Sequence, residues 1–355
     1  MQNKDVKDTE RKAVVETNDD ATASKYAAVL KHYWEDPLIR FFVPSGTRLQ
    51  RPPLINRGTF TRVASIDSTV KHFLSCGGTQ VVNLGAGYDT SFARLRCCCS
   101  FPAGRSYTWW DVDLPEVVAQ KASAIAEVPE LRGSFVGEDG TLATEGSGCA
   151  LDVRTSSGAA DLRYVLQAGD LRDTAAFEAE ARKILDLSAP TLFVSEVVLV
   201  YMDPEDGDRL IEWVGKTFRA AEFVVFEQIL PNDPFGKMML KNISLRGCTL
   251  HSIKRYPTLA AQKKRYEDRG FEKVESIDMN QVYKGLTEGD RALTTSISRL
   301  ELFDELEEWM MLQAHYCLVT AVKDPESLFW KTPSPRFVCS LPRRQTVSSP
   351  FLKIN

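Results

Sequence analysis

Several features that would assign this sequence to a class of protein are missing. It has no uninterrupted apolar run near the roughly 20 residues of a membrane-spanning helix, and its first twenty residues are mostly charged and polar. It also has no excess of basic charge, because 44 Lys and Arg residues stand against 48 Asp and Glu residues. We therefore expect a soluble protein of the cytoplasm, with the nucleus as the alternative, that binds neither membranes nor nucleic acid.

Histidine is also scarce, which bears on metal binding. The sequence has four His residues at scattered positions and eight Cys residues, of which Cys97, Cys98 and Cys99 are adjacent. A zinc site needs two ligand pairs at short spacing, and no second pair stands near this run. Because the first residues are charged and polar, we expect a chain without a signal peptide and interpret the cysteines as reduced thiols. The sequence predicts neither a metal centre nor a disulfide framework.

Composition marks three segments as lacking regular structure. Residues 1–20 are mostly charged and polar, and residues 324–355 combine basic side chains with several prolines. Residues 133–158 are rich in Gly, Ser and Thr, which is typical of a long loop. We expect a disordered head, a disordered basic tail and a flexible loop, with a single folded domain over residues 21–323.

Within that domain, the hydrophobic pattern changes along the chain. Apolar residues spaced by three and four predict helices within residues 21–75. From 80 to 230, strands alternate with helices, which indicates a parallel sheet covered on both faces. Helical segments and two last strands follow within 231–323. The core strands are predicted near residues 81–84, 107–112, 163–169, 191–196 and 222–229. The fold class is therefore α/β, a doubly wound and mostly parallel sheet with N-terminal helices and a helical lid.

The stretch VVNLGAGYDTSFARL at residues 81–95 is typical of a buried strand, a glycine turn and a helix. Gly85 and Gly87 let the backbone approach a ligand closely, and the N-terminus of the next helix favours negative charge. The third glycine of a dinucleotide fingerprint is missing, and Asp89 occupies that end of the turn. Because a carboxylate would repel a pyrophosphate, the turn indicates a ligand without phosphates.

Acidic residues follow three further predicted strands. Asp111 and Asp113 end the second strand, Asp170 follows the third, and Glu196 ends the fourth. The carboxyl ends of parallel strands meet at one edge of the sheet, where such folds bind ligands. An acid after the second strand suits ribose hydroxyls, and Asp170 with the backbone of Leu171 suits an adenine ring. This acid-lined cleft suits a cationic adenosine compound, and S-adenosylmethionine meets that requirement.

Five separated stretches carry a further signal: SKYAAVLKHYWEDPLI, PLINRGTFTRV, VVNLGAGYDTSFARL, SEVVLVYMDPE and EQILPNDPFGKMM. In this order they resemble the leucine carboxyl methyltransferases, which methylate the C-terminal leucine carboxylate of the protein phosphatase 2A catalytic subunit. The resemblance covers residues 21–323. It implies a class I methyltransferase fold, S-adenosylmethionine as methyl donor and no metal. It also implies a monomer that binds the tail and the active-site face of the phosphatase subunit.

The resemblance assigns roles to particular residues. Arg62 and Tyr201 are implied to hold the substrate carboxylate. Contacts to S-adenosylmethionine are implied for Lys25, Arg62, Gly85, Asp113, Asp170, Leu171 and Glu196. A C-terminal carboxylate has a pKa of about 3.5 and is ionised at neutral pH. We therefore expect catalysis by positioning, without a general base.

Three other functions remain open from the sequence. The same fold and donor could serve a small carboxylic acid, because the sequence does not define the width of the acceptor cleft. A related branch acts on a modified tRNA base, but it carries a further C-terminal domain that we do not expect here, and the acidic balance opposes RNA binding. A non-catalytic protein that caps a phosphatase tail would need a defective donor pocket, which the aligned residues do not indicate.

Overall fold

The computed structural model describes residues 2–98, 100–137, 140–143 and 149–324. In this part of the chain, nine strands form one sheet in the order β3-β4-β5-β2-β1-β6-β7-β9-β8. The strands are β1 Gln80–Leu84, β2 Ser106–Asp113, β3 Thr141–Ala143, β4 Cys149–Ser157, β5 Ala160–Ala168, β6 Thr191–Glu196, β7 Ala221–Gln228, β8 Lys273–Asp278 and β9 Tyr316–Lys323.

The centre of the sheet is parallel and its edges are antiparallel. Strands β5, β2, β1, β6 and β7 run in one direction, whereas β9 lies antiparallel between β7 and β8. Both β1 and β7 are buried along their whole length, as expected for strands covered on both faces. The predicted core strands and the two last strands are confirmed, and so is the predicted fold class.

Most of the described helices begin at a capping side chain or at a proline. Their bounds are α1 Gln2–Leu30, α2 Pro53–Ser75, α3 Ser91–Cys97, α4 Pro115–Glu127, α5 Pro129–Phe135, α6 Thr174–Ile184, α7 Pro204–Thr217, α8 Pro234–Leu245, α9 Leu259–Glu267, α10 Met279–Thr287, α11 Arg291–Ser298 and α12 Leu306–Ala314. The side chains of Asp173, Asp233, Thr258, Asp278 and Asp290 each accept a hydrogen bond from a backbone N–H in the first turn of the helix that follows. Proline opens α2, α4, α5, α7 and α8, where its missing N–H costs no intrahelical bond.

Apolar side chains from these helices cover the two faces of the sheet. On one face, Phe60 of α2 and Phe92 of α3 belong to a large buried cluster. On the other, Phe177 of α6, Trp213 of α7 and Tyr266 of α9 form a second cluster. Each such side chain contributes about 1.5–3 kcal/mol when it leaves water. These two layers hold the carboxyl edge of the parallel strands in a fixed position.

The N-terminal segment differs from its prediction. Residues 1–20 were expected to be disordered, but the structure continues α1 through this segment from Gln2. Composition alone cannot reveal the tertiary partners of these charged residues. Arg11 forms an ion pair with Glu116 at 3.0 Å, and Glu10 lies 2.9 Å from the ring nitrogen of His251. The prediction of a disordered head was therefore wrong for the described residues.

The predicted loop at 133–158 also differs. The described parts of this stretch contain the end of α5, the short strand β3, and β4, which pairs antiparallel with β5. The inward positions of β4 include Thr155 and Ser157, and these polar residues conceal the alternation of apolar and polar residues that predicts a strand. The turn between β4 and β5 contains Gly158, whose φ of +61° favours glycine.

Two other expectations concern the ends of the chain and its surroundings. From residue 325 onward, the predicted basic tail lies outside the described residues. Cys99 also lies outside them, whereas its neighbours Cys97 and Cys98 are exposed. Among the described helices, none combines the length and the apolar character that crossing a bilayer requires.

Candidate active site

A cavity of about 1050 Å³ opens at the carboxyl edge of the parallel strands. The pairing of Leu84 with Val112 and with Ser195 brings the ends of β1, β2 and β6 to the same level. Every residue to which the resemblance assigns a role lines this one cavity: Lys25, Arg62, Gly85, Asp113, Asp170, Leu171, Glu196 and Tyr201. The strand-end argument thus predicted the edge of the sheet at which this cavity opens.

The glycine turn forms the floor of the cavity. Gly85 has a φ of +62°, and a Cβ on it would lie 2.5 Å from a methyl carbon of Val198. The N–H of Gly87 and the N–H of Leu114 each donate to the carboxylate of Asp113 at 2.6 Å. Burial raises the pKa of Asp113, while these two backbone donors act against that effect. The turn and Asp113 thus fix each other beneath the cavity.

A network of charged residues lies above β6. One carboxylate oxygen of Glu196 is 2.9 Å from Lys25 Nζ and 2.6 Å from an Arg62 guanidinium nitrogen. Burial alone would raise the pKa of Glu196, but the two cations outweigh it and lower the pKa to about 2. The Nε atom of Arg62 has no hydrogen-bond partner among the described residues, and the guanidinium lies 5.0 Å from the centre of the Phe226 ring. The Nε–H of Arg62 therefore remains available as a hydrogen-bond donor to an additional anionic or carbonyl group.

Asp170 and Tyr201 are arranged differently. Asp170 is bound by the side chain of Arg172 at 2.6 Å, so a ligand would share this carboxylate with an arginine. Burial would raise the pKa of Asp170, yet the hydrogen bonds from Arg172 lower it. Tyr201 ends a 3-10 turn, Leu199–Tyr201, directly after β6, and burial raises its pKa above the usual tyrosine value. Its hydroxyl stays protonated at neutral pH and can donate a hydrogen bond.

Asp111 was a second candidate for the ribose, and the structure corrects this. Asp111 is only 1% exposed and does not line the cavity. Its carboxylate is bound by Lys121 Nζ at 2.7 Å, by the Tyr164 hydroxyl at 2.8 Å and by Trp109 Nε1 at 2.8 Å. Asp111 and Asp113 are two residues apart and share one face of β2, so their positions along the strand separate them. Asp113 is the last residue of β2 and lines the cavity, whereas Asp111 lies further back, where Lys121 of α4 covers it.

Sequence patterns missed several cavity residues. Glu10, Arg11 and Asn18 reach it from α1, in the segment expected to be disordered. Gln228 is the last residue of β7, so the strand-end rule that located Glu196 could have found it. Gln313, near the end of α12, carries no such signal in the sequence. Among the described residues, no group of three or more His, Cys, Asp or Glu side chains is placed to hold a metal ion.

The pKa of Glu196 predicts a pH dependence of stability. A carboxylate with a pKa near 4.5 when unfolded and about 2 when folded stabilises the fold above pH 4.5 and loses that effect as the pH falls towards 2. We expect Glu196→Gln to lower the free energy of unfolding by on the order of 3 kcal/mol at pH 7, and by progressively less between pH 5 and pH 3. Denaturant titrations over this range measure the difference. Glu267→Gln, at an exposed α9 position, is the control, and a constant difference for Glu196→Gln would contradict the assigned pKa.

Fold and site together define the class of protein. The mostly parallel sheet with an antiparallel strand beside β7, and the cavity above a glycine turn, are those of class I S-adenosylmethionine-dependent methyltransferases. A family model described as "Leucine carboxyl methyltransferase" matches residues 13–215. The chain belongs to the leucine carboxyl methyltransferase family, as the sequence motifs predicted.

Individual relatives agree with this assignment. The chain is 37% identical to the Leucine carboxyl methyltransferase 1 homolog of Arabidopsis thaliana, covering 90% of this chain and 92% of that protein. It is 35% identical to Leucine carboxyl methyltransferase 1 of Bos taurus, covering 90% and 93%. It is also 34% identical to tRNA wybutosine-synthesizing protein 4 of Homo sapiens, covering 87% of this chain but 44% of that protein.

Proposed function

We propose that this protein transfers a methyl group from S-adenosylmethionine to the α-carboxylate of the C-terminal leucine of the protein phosphatase 2A catalytic subunit. The products are a methyl ester and S-adenosylhomocysteine. The observation that carries the proposal is the Lys25–Glu196–Arg62 network, which places an arginine with an unused donor beside the glycine turn. The names of the relatives in Arabidopsis thaliana and Bos taurus support leucine carboxyl methylation.

The residues around the turn fit the proposed methyl donor. Gly85 puts no side chain at the turn that lines the cavity, and Asp113 can accept hydrogen bonds from ribose hydroxyls. Asp170 and the buried side chain of Leu171 suit the amino group and the ring of adenine. Lys25 and Arg62 suit the carboxylate of the methionine part. When bound, S-adenosylmethionine supplies an electrophilic methyl group on a positively charged sulfur.

The acceptor needs orientation more than activation. Its carboxylate is already ionised at neutral pH, so no residue has to remove a proton. Arg62 can bind the carboxylate with a charge-assisted hydrogen bond, and the protonated Tyr201 can donate a second. Glu196 keeps the positive charge of Arg62 partly neutralised, which limits how strongly the clamp weakens the nucleophilic oxygen. Positioning of this kind is worth several kcal/mol of activation free energy.

One observation favours a second candidate function. The match to a human protein named for tRNA wybutosine synthesis supports a methyl acceptor in that process. The net charge of −4 opposes it, because binding to a polyanion is driven by basic residues.

Radiolabelled methyl transfer tests the proposal. We expect label from S-adenosylmethionine on the intact phosphatase catalytic subunit, released by mild base as an ester, and none on the same subunit lacking its terminal leucine. Transfer RNA is the third acceptor in the same assay. Label on both forms of the subunit would exclude the C-terminal leucine as the acceptor, and label on tRNA alone would support the second candidate.

A further inference from the structure

Two buried glutamine side chains in the cavity wall have unused hydrogen-bond acceptors. Gln228, the last residue of β7, and Gln313, in α12, are each 4% exposed. Both line the cavity, and neither side-chain oxygen has a hydrogen-bond partner among the residues that the structure describes. Buried amide oxygens are usually paired, and these two differ from the unpartnered oxygen of Gln167 because their residues line the cavity, where a ligand can supply a hydrogen-bond donor.

Both glutamines lie beside the arginine of the proposed carboxylate clamp. Gln228 follows Phe226 by two residues and shares its face of β7, and the Phe226 ring is 5.0 Å from the Arg62 guanidinium. Gln313 contacts α2 one turn before Arg62, because a Cβ on Gly58 would be 2.7 Å from its side-chain nitrogen. The unused oxygens therefore lie at the end of the cavity where the proposed clamp would hold the methyl acceptor.

The chemistry of this end differs from that of the end where the methyl donor would bind. Asp113 and Asp170 are carboxylates and suit a cationic ligand, whereas a glutamine oxygen is neutral and suits a neutral hydrogen-bond donor. In a peptide, the N–H nearest to the terminal carboxylate belongs to the same residue. A ligand whose carboxylate is bound by Arg62 would thus carry that N–H into the region of the two glutamines.

Building on the proposed function, we infer that Gln228 accepts a hydrogen bond from the backbone N–H of the terminal leucine, with Gln313 as a second acceptor for the peptide. The acceptor class is then a peptide terminus in which a secondary amide adjoins the α-carboxylate. Free carboxylic acids that lack this amide would leave a buried oxygen unpaired, and a site built this way rejects them. The glutamines are specificity-determining residues, distinct from the groups that hold the carboxylate.

An acceptor with one altered atom tests this inference. A synthetic tail ligated to the phosphatase catalytic subunit ends either in leucine or in 2-hydroxy-4-methylpentanoate, which replaces the last N–H by an ester oxygen and keeps the carboxylate. We expect kcat/KM of the wild-type enzyme to be about ten to a hundred times lower for the ester tail, because the Gln228 oxygen stays unpaired.

Protein variants complete the test. Gln228→Met preserves the side-chain volume and removes the hydrogen-bond acceptor. We therefore expect it to lower kcat/KM for the amide tail and to leave kcat/KM for the ester tail nearly unchanged. Gln313→Met is the second variant, with the same direction and a smaller effect. The matched control is Gln167→Met, because Gln167 is 3% exposed, has an unpartnered oxygen and does not line the cavity. Calorimetric binding of S-adenosylmethionine verifies that each variant is folded.

The outcomes separate this inference from the proposed function. Equal wild-type kcat/KM for the two tails, or an equal loss on both tails in Gln228→Met, would overturn the inference while methylation of the leucine stands. Absence of label on both tails, with donor binding intact, would overturn the proposed acceptor and this inference with it. An amide preference that disappears in Gln228→Met and persists in Gln167→Met would support it.

Discussion

Replacing Arg62 with alanine is expected to lower kcat/KM for methyl transfer to the phosphatase subunit by at least about a thousandfold, which corresponds to about 4 kcal/mol of transition-state stabilisation. The guanidinium has an unused Nε donor at the cavity and is the proposed clamp for the acceptor carboxylate. Without it, the carboxylate would lose both its main cationic partner and its orientation towards the methyl group. Initial rates at varied acceptor concentration measure the effect.

The variant should remain folded, which makes the result interpretable. Glu196 would still have Lys25 at 2.9 Å, so removing Arg62 does not leave the buried carboxylate without a cation. Arg62→Lys keeps the charge but loses the planar fork, and we expect it to recover part of the activity. Arg182→Ala, in an exposed pair on α6, is the control for loss of one arginine. Near-normal turnover of Arg62→Ala at saturating acceptor would exclude Arg62 as the clamp.

The sequence predicted the parallel core well because local patterns and tertiary burial agree there. Strands such as β6 have an apolar centre, are buried over nearly their whole length and end in an acidic residue, so both their position and the edge of the sheet that carries polar groups could be recognised. The same agreement located Asp113, Asp170 and Glu196 at one edge of the sheet. Periodicity and strand-end chemistry are local signals, and here they coincide with the final geometry.

Other parts depend on contacts that local patterns do not encode. The charged residues of the α1 head are placed by partners far along the chain, such as His251 for Glu10 and Glu116 for Arg11. The strand β4 has polar residues at inward positions, so its sequence predicts a loop. Asp111 and Asp113 have the same chemistry in the sequence, and only the packing of Lys121 separates the core residue from the site residue. Such choices are made by tertiary structure.

The largest loss of stability is expected for Lys121→Met. Lys121 is fully buried, and its ammonium group donates to the Asp111 carboxylate at 2.7 Å and to the backbone carbonyl of Asp89 at 2.8 Å. Removing one partner of a buried ion pair leaves an uncompensated charge, which costs about 3–5 kcal/mol. Denaturant unfolding followed by tryptophan fluorescence measures the change. Lys183→Met, in an exposed pair with Glu180, should cost less than about 1 kcal/mol.

The same lysine connects core stability to the donor site, and a double variant separates the two effects. Lys121→Met combined with Asp111→Leu removes both charges, so we expect it to regain part of the lost free energy of unfolding. The double variant still lacks the hydrogen bond that the Lys121 ammonium group donates to the Asp89 carbonyl at the end of the glycine turn. Affinity for S-adenosylmethionine should therefore stay low in the double variant while stability recovers. If affinity recovers together with stability, Lys121 stabilises only the core, and its hydrogen bond to the Asp89 carbonyl does not contribute to binding of S-adenosylmethionine.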